Sequence, residues 1–220
     1  AELEPAYAAG LAGLSETFAT AAQLGYARTA ATAVRRARQF AEDALAADDS
    51  LPAAHRALAS AAFLSGEHDL AVSALLAAVD LAPNDAKAQL FLGFYLAWAG
   101  RGIDAVTPIE KSIRLNPFSE GPDKTFLGFA YSSARRFGEA IDVFVAEKEA
   151  GNPMSAFALT HWTAALVGSQ RTAEAQAVAQ EIMAAFPTFT LSAWAATLRY
   201  KDEADAERHL DALREAGLPN

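Results

Sequence analysis

The residues that could do chemistry are few. The histidines are His55, His68, His161 and His209, and no two stand at the i,i+4 spacing of a helical metal site. His55 and His68 read as packing residues of helical segments. Cysteine is absent, which removes disulfides, thiolate nucleophiles and Cys-ligated zinc together. Ser132-Ser133 has no adjacent histidine and reads as a helix face. Acidic runs such as Asp48-Asp49 and Asp202-Glu203-Asp205 fall in loops or at helix starts, where carboxylates favour the helix dipole. The glycines are isolated helix-end residues, so no phosphate-cradling loop exists. These observations point to a chain without catalysis, metal or cofactor.

Charge narrows the partners. Eighteen Lys and Arg against 27 Asp and Glu give a net charge of −9. That disfavours nucleic acid and anionic membrane surfaces, which need a basic footprint. The densest basic cluster, Arg35, Arg36 and Arg38, sits beside Glu42 and Asp43 and reads as a solvated helix face. No run of strongly apolar residues is long enough to span a bilayer. The 220 residues are 52 % hydrophobic, too apolar for disorder, and 55 of them are alanine. The chain begins at Ala1 with no signal peptide on it, the expectation for a processed protein or a piece of a longer one. A cytoplasmic location is expected, with the periplasm as the alternative.

The elements that would position a site are repeats. Leu58-Ala59, Leu92-Gly93 and Leu127-Gly128 are 34 and 35 residues apart. Ala71, Ala105, Ala140 and Ala175 step by 34, 35 and 35; Pro83, Pro117, Pro153 and Pro187 by 34, 36 and 34. Three markers sharing one period define tandem units. Each unit reads as two helices, such as Ala86 to Ala99 and Gly102 to Leu115. Gly100 suits the left-handed cap between them, and Asn116-Pro117 stops the second. The turns are too short for anything but antiparallel neighbours, and strand signals are absent. Alanine and glycine at the crossings let helix axes approach closely.

These residues resemble the tetratricopeptide repeat, with Leu at position 7, a small residue at 8, Ala at 20 and Pro at 32. Residues 52–85, 86–119, 120–153 and 154–189 fit four repeats. In the last, Thr163 and Ile182 depart from the small positions, and a splayed or differently packed repeat is expected. Residues 1–51 form an atypical first repeat, whose insertion extends both helices or adds a crossover near Gly25. Residues 190–220 supply capping helices, a short one over Thr190–Tyr200 and a charged one over Asp202–Ala216. The resemblance implies an all-α, right-handed superhelix of about five to six helix pairs in a single domain.

It also implies a partner surface. Family positions that line the concave groove fall here on Arg56, Ser60, Phe63 and Leu64, then on Lys87, Leu90, Phe94 and Trp98. Thr125, Phe129, Ser132 and Ser133 follow, and then Phe157 and Thr160. Position 9 holds Ser60, Phe94, Phe129 and Ala164, never Asn, so the family's carboxylate clamp is not carried. An apolar peptide or helix is the expected occupant. Two other readings stand beside it. The aromatics fill the interior, or the groove is covered by the first-repeat insertion or a second copy of the chain. Asn116-Pro117-Phe118 and the ending from Tyr200 to Pro219 are similar to the repeat tails of bacterial class III adenylate/guanylate cyclases, and similar tails follow winged-helix regulatory domains. That likeness implies a regulatory tail whose partner is a protein, a peptide or another domain of the same polypeptide. A free-standing, exported adaptor for assembly of a complex is the alternative, and homo-oligomers are compatible with both.

Overall fold

The computed structural model describes residues 7–119 and 122–220. Among them are twelve helices and no strand. The first six are α1 (Ala8–Gln23), α2 (Ala30–Ala47), α3 (Pro52–Leu64), α4 (His68–Leu81), α5 (Ala86–Trp98) and α6 (Gly102–Leu115). The remainder are α7 (Asp123–Ser133), α8 (Phe137–Glu149), α9 (Ala156–Gly168), α10 (Thr172–Ala185), α11 (Leu191–Ala195) and α12 (Glu203–Glu215). The chain divides into two compact units, residues 1–95 and 96–220.

One turn recurs between paired helices. A residue with positive φ follows the helix, and the next N–H reaches back to a carbonyl of the last turn. Glu67 N–H bonds Ala62 O at 2.9 Å, Arg101 N–H bonds Leu96 O at 2.8 Å, Arg136 N–H bonds Tyr131 O at 2.8 Å, and Arg171 N–H bonds Leu166 O at 2.9 Å. This is the Schellman closure. Gly66 and Gly100 fill the left-handed position in two of the turns, with φ of 78° and 76°. Arg135 and Gln170 fill it in the others, with φ of 59° and 61°. Each following helix of the last three carries a surface ion pair in its first turn: Arg101–Asp104, Arg136–Glu139 and Arg171–Glu174.

In the first unit α1 and α2 are both long, and Gly25 turns between them with φ of 73°. The insertion therefore extends both helices. Alanine makes this core: Ala12, Ala41, Ala44, Ala54 and Ala57 pack with Leu11, and Ala19, Ala37 and Ala61 form a second cluster. A methyl is the largest side chain that keeps such axes close. Ser15, also buried, donates its hydroxyl to Ala37 O at 2.6 Å, which satisfies the polar group the packing encloses.

In the second unit Phe144 is fully buried beside Gly128, where a Cβ would come within 2.6 Å of the ring. Gly102 meets the backbone of Ser133 and Ala134. In the repeat over 154–189, expected to be splayed or differently packed, Thr163 and Ile182 are both fully buried. Thr163 tolerates this because its hydroxyl bonds Leu159 O at 2.8 Å, one turn back. The short helix expected over Thr190–Tyr200 stops at Ala195, where Thr197 and Leu198 donate three residues back to Trp194 and Ala195 and tighten the chain out of the helix. The helix expected over Asp202–Ala216 is observed, with the Asp202 carboxylate accepting Ala204 N–H at 2.9 Å as its cap.

Candidate functional site

The first unit carries a shallow cleft of about 90 Å³ between α1, α3 and α5. Its floor is aromatic. Phe63 stacks on Tyr95 with centroids 4.1 Å apart and planes at 7°, and Phe94 and Phe91 flank them at 6.1 Å from Phe63 and 5.9 Å from Tyr95. The Tyr95 hydroxyl lies 3.5 Å from Ser60 Oγ, and burial pushes the phenol up to about 12. Across the rim, Arg56 bonds Asp85 at 2.6 Å and Glu16 at 3.3 Å, while Lys87 reaches the same Glu16 at 2.9 Å. Two cations and two carboxylates leave the rim neutral. The Nε of Arg56 is buried with no acceptor among the described residues. A buried donor left in that state carries a desolvation cost.

Six of the expected groove residues meet here: Arg56, Ser60, Phe63, Leu64, Lys87 and Phe94. Leu90 is buried instead. Glu16, Phe91 and Tyr95 line the same cleft and were not among the expected residues. Phe91 and Tyr95 stand one helical turn apart on α5 (i, i+4), and that spacing was their available signal.

The second unit gathers the rest, but not as an open groove. Trp98 and Phe129 lie 4.8 Å apart, and Phe157 and His161 close over Phe129 at 5.4 and 4.4 Å. Phe129 is 1 % exposed and Trp98 4 %. The expectation that these rings line an accessible groove is corrected: they are covered by the chain's own end. Tyr200 rests 4.6 Å from Trp98, Lys201 N–H bonds Trp98 O at 2.9 Å, and His209 of α12 lies 4.5 Å from His161. The cover over these rings is the chain's own residues 200–209. Thr160 is fully buried and donates to Phe157 O at 3.1 Å, so it too faces inward. Ser133 donates to Ala97 O at 3.0 Å, and Thr125 is half-buried on α7.

Beside this cover runs a cleft of about 520 Å³, lined by Ser132, Ser133, His161, Tyr200, Asp205 and His209 among others. Two polar atoms in it are buried and unpartnered among the described residues, His161 Nε2 and Ser132 Oγ. His209 Nε2 accepts from Trp194 Nε1–H at 3.2 Å, so its proton sits on Nδ1 in the neutral ring. Burial pulls His209 down to about 3, and burial together with His209 pulls His161 well below the ordinary histidine range. Among the described residues no cluster of three or more His, Cys, Asp or Glu could hold a metal.

Tandem antiparallel helix pairs with Schellman turns and small residues at the crossings define a tetratricopeptide-like fold. Solved structures agree. PilW, a widely conserved type IV pilus biogenesis factor, superposes with a TM-score of 0.67 at 17 % identity, covering 92 % of this chain and 90 % of its own. YrrB, a TPR protein with an unusual peptide-binding site, gives 0.58 at 17 % identity over 78 % of this chain and 86 % of its own. A kinesin light chain from Podospora anserina with nearly identical TPR-like repeats gives 0.58 at 18 % identity, over 82 % and 95 %. No family model and no curated protein matches the sequence. These likenesses show the fold.

Proposed function

We propose that the chain is a non-catalytic scaffold that binds a peptide or helix from another protein in the cleft between α1, α3 and α5. The observation that carries this is the buried Nε of Arg56, unpartnered among the described residues, in a cleft with an aromatic floor. A main-chain carbonyl is the acceptor such a donor takes. The neutral rim favours an uncharged, apolar segment over an acidic or basic one, because neither sign gains from it. At about 90 Å³ the cleft is small for a metabolite, and it fits one or two side chains of a bound segment. The likeness in fold to a TPR protein with a peptide-binding site supports the same reading. The finer reading is a regulatory tail of a larger bacterial signalling protein such as a nucleotide cyclase, acting in the cytoplasm. The ending from Tyr200 to Pro219 supports it. The second reading is an exported adaptor for assembly of a complex, favoured by the fold likeness to a pilus biogenesis factor.

An array of apolar and charged dodecamer peptides tests the site. Aromatic, uncharged peptides are expected to bind the full chain, and Phe91→Ser is expected to weaken them at least tenfold without changing the melting temperature. Binding should survive moderate salt. Capture of acidic peptides alone, lost steeply with salt, would refute the apolar cleft. The reading frame upstream of Ala1 separates the two finer readings: a catalytic or winged-helix domain there supports the tail, and a signal peptide supports the adaptor.

A further inference from the structure

The α1–α2 pair runs past the helix that holds it. At the end of α3, Ala61 and Leu64 pack with Phe18 and Ala19 of α1 and with Ala37 of α2. Beyond that layer α1 continues to Gln23 and α2 returns from Ala30, which is about 6 Å of the one helix and about 10 Å of the other. The turn between them is closed: the Tyr26 and Ala27 N–H groups both bond Ala21 O, at 2.9 and 3.1 Å. Over residues 20–36 only Ala33 is buried. Leu24 is 57 % exposed and Tyr26 81 %. Large apolar side chains left together on one exposed turn mark a contact surface.

The charge around this turn is opposite to that of the chain. No acidic residue lies between Glu16 and Glu42, although the chain has 27, and Arg28, Arg35, Arg36 and Arg38 all fall in that stretch. Arg38 is taken by Glu42 and Glu67. Arg36 lies over the Phe18 ring at 5.4 Å, and Arg35 bonds the Thr32 hydroxyl at 3.1 Å. Arg28, Arg35 and Arg36 thus have no carboxylate partner among the described residues. The nearest acid on α1, Glu16, is held by Arg56 and Lys87. It stands eight residues before Leu24, about 12 Å along the helix. That exceeds the screening length of about 8 Å at physiological salt, so the acid does not cancel the three cations.

We propose that the α1–α2 turn is a peripheral anchor for an anionic bilayer surface. Leu24 and Tyr26 enter the headgroup layer, where the phenol keeps its hydroxyl wet and its ring dry. Arg28, Arg35 and Arg36 meet the lipid phosphates, which a guanidinium grips through paired N–H groups. The chain-wide excess of acid disfavours such a surface on average, and this stretch is the local exception. The size of the patch favours a bilayer over a protein. A stable protein interface takes about 20–30 residues a side, whereas residues 20–36 expose twelve. A bilayer asks for no matching shape and accepts a protruding turn. Each cation near an anionic surface strengthens binding about fivefold. The anchor is independent of the α1–α3–α5 cleft and of what that cleft holds.

The test uses the full chain and vesicles of phosphatidylcholine, alone or mixed in equal parts with phosphatidylserine. Because the chain has no cysteine, Gln23→Cys carries one environment-sensitive fluorophore beside Leu24, and Glu203→Cys carries it on α12 as the control. The fluorophore at position 23 is expected to shift to the blue with the anionic vesicles, and the one at 203 to stay unchanged. Neutral vesicles are expected to bind at least tenfold more weakly in co-sedimentation. Arg28→Glu/Arg35→Glu is expected to weaken anionic binding by about twentyfold or more. Leu24→Ser/Tyr26→Ser, read with the same fluorophore, should remove the blue shift at an unchanged melting temperature. Equal binding to both vesicles, or anionic binding that survives both double variants, would overturn the proposal. So would a soluble peptide of alternating Glu and Leu that shifts the fluorophore as far as the anionic vesicles do, since that outcome assigns the turn to a protein.

Discussion

Replacing Gly102 with alanine puts the packing between α6 and α7 to a direct test. The added methyl would sit 2.2 Å from Ala134 N, 2.3 Å from Ser133 C and 2.8 Å from Ala134 Cα. Ordinary contact begins near 3.4 Å, so the two helices must part by about 1.2 Å, and the obstacle is backbone with no rotamer to yield. Overpacking of this kind costs about 1–3 kcal/mol or more. Alanine's better helix propensity returns only a fraction of about 1 kcal/mol, because Gly102 is the first residue of α6. The expected loss is about 2–3 kcal/mol, or about 4–12 °C in a chain of this size. Gly138, the second residue of α8, is the control. Nothing lies within 4 Å of a Cβ there, and Gly138→Ala is expected to gain about 0.4–1 kcal/mol. Urea unfolding followed by tryptophan fluorescence isolates the effect, since Trp98, Trp162 and Trp194 all belong to residues 96–220. A Gly102→Ala protein with a midpoint equal to or above wild type would refute the close approach.

Phe129→Ala should lose about 3–5 kcal/mol in the same assay, since its ring is enclosed by Trp98, Phe157, His161 and Tyr200. A loss below about 1 kcal/mol would mean that the ring is not part of the core. Arg135→Gly and Gln170→Gly relieve a left-handed backbone that opposes a side chain by about 1–2 kcal/mol, offset by glycine's greater freedom when unfolded. A net gain of up to about 1 kcal/mol is expected, and an unchanged midpoint for both would argue against strain in these turns.

The repeat phase was legible because it is written in local chemistry. Leu58-Ala59, Ala71, Gly66 and Pro83 each do their work within one helix pair, so spacing alone locates them. The cleft was half legible for the same reason. Arg56, Ser60 and Phe63 lie on the face the family pattern indicates, whereas Glu16 reaches Arg56 from forty residues away. What covers Phe129 was not legible. Tyr200 ends the short capping helix and His209 lies in the charged one that the sequence predicts, and nothing local distinguishes these two side chains as the ones that turn inward. The pairing of His161 with His209 depends on where α12 folds back, which periodicity does not encode.

The ion pairs at the helix starts bear on how the repeats answer salt. Arg101–Asp104, Arg136–Glu139 and Arg171–Glu174 recur at intervals of 35 residues with the same three-residue geometry. Exposed pairs of this kind contribute about 0–1 kcal/mol each, and each carboxylate sits in a first turn, where it also meets the positive end of the helix dipole. Salt screens both attractions, so a rise in ionic strength loosens α6, α8 and α10 at the same point of each helix and spares the apolar crossings between them.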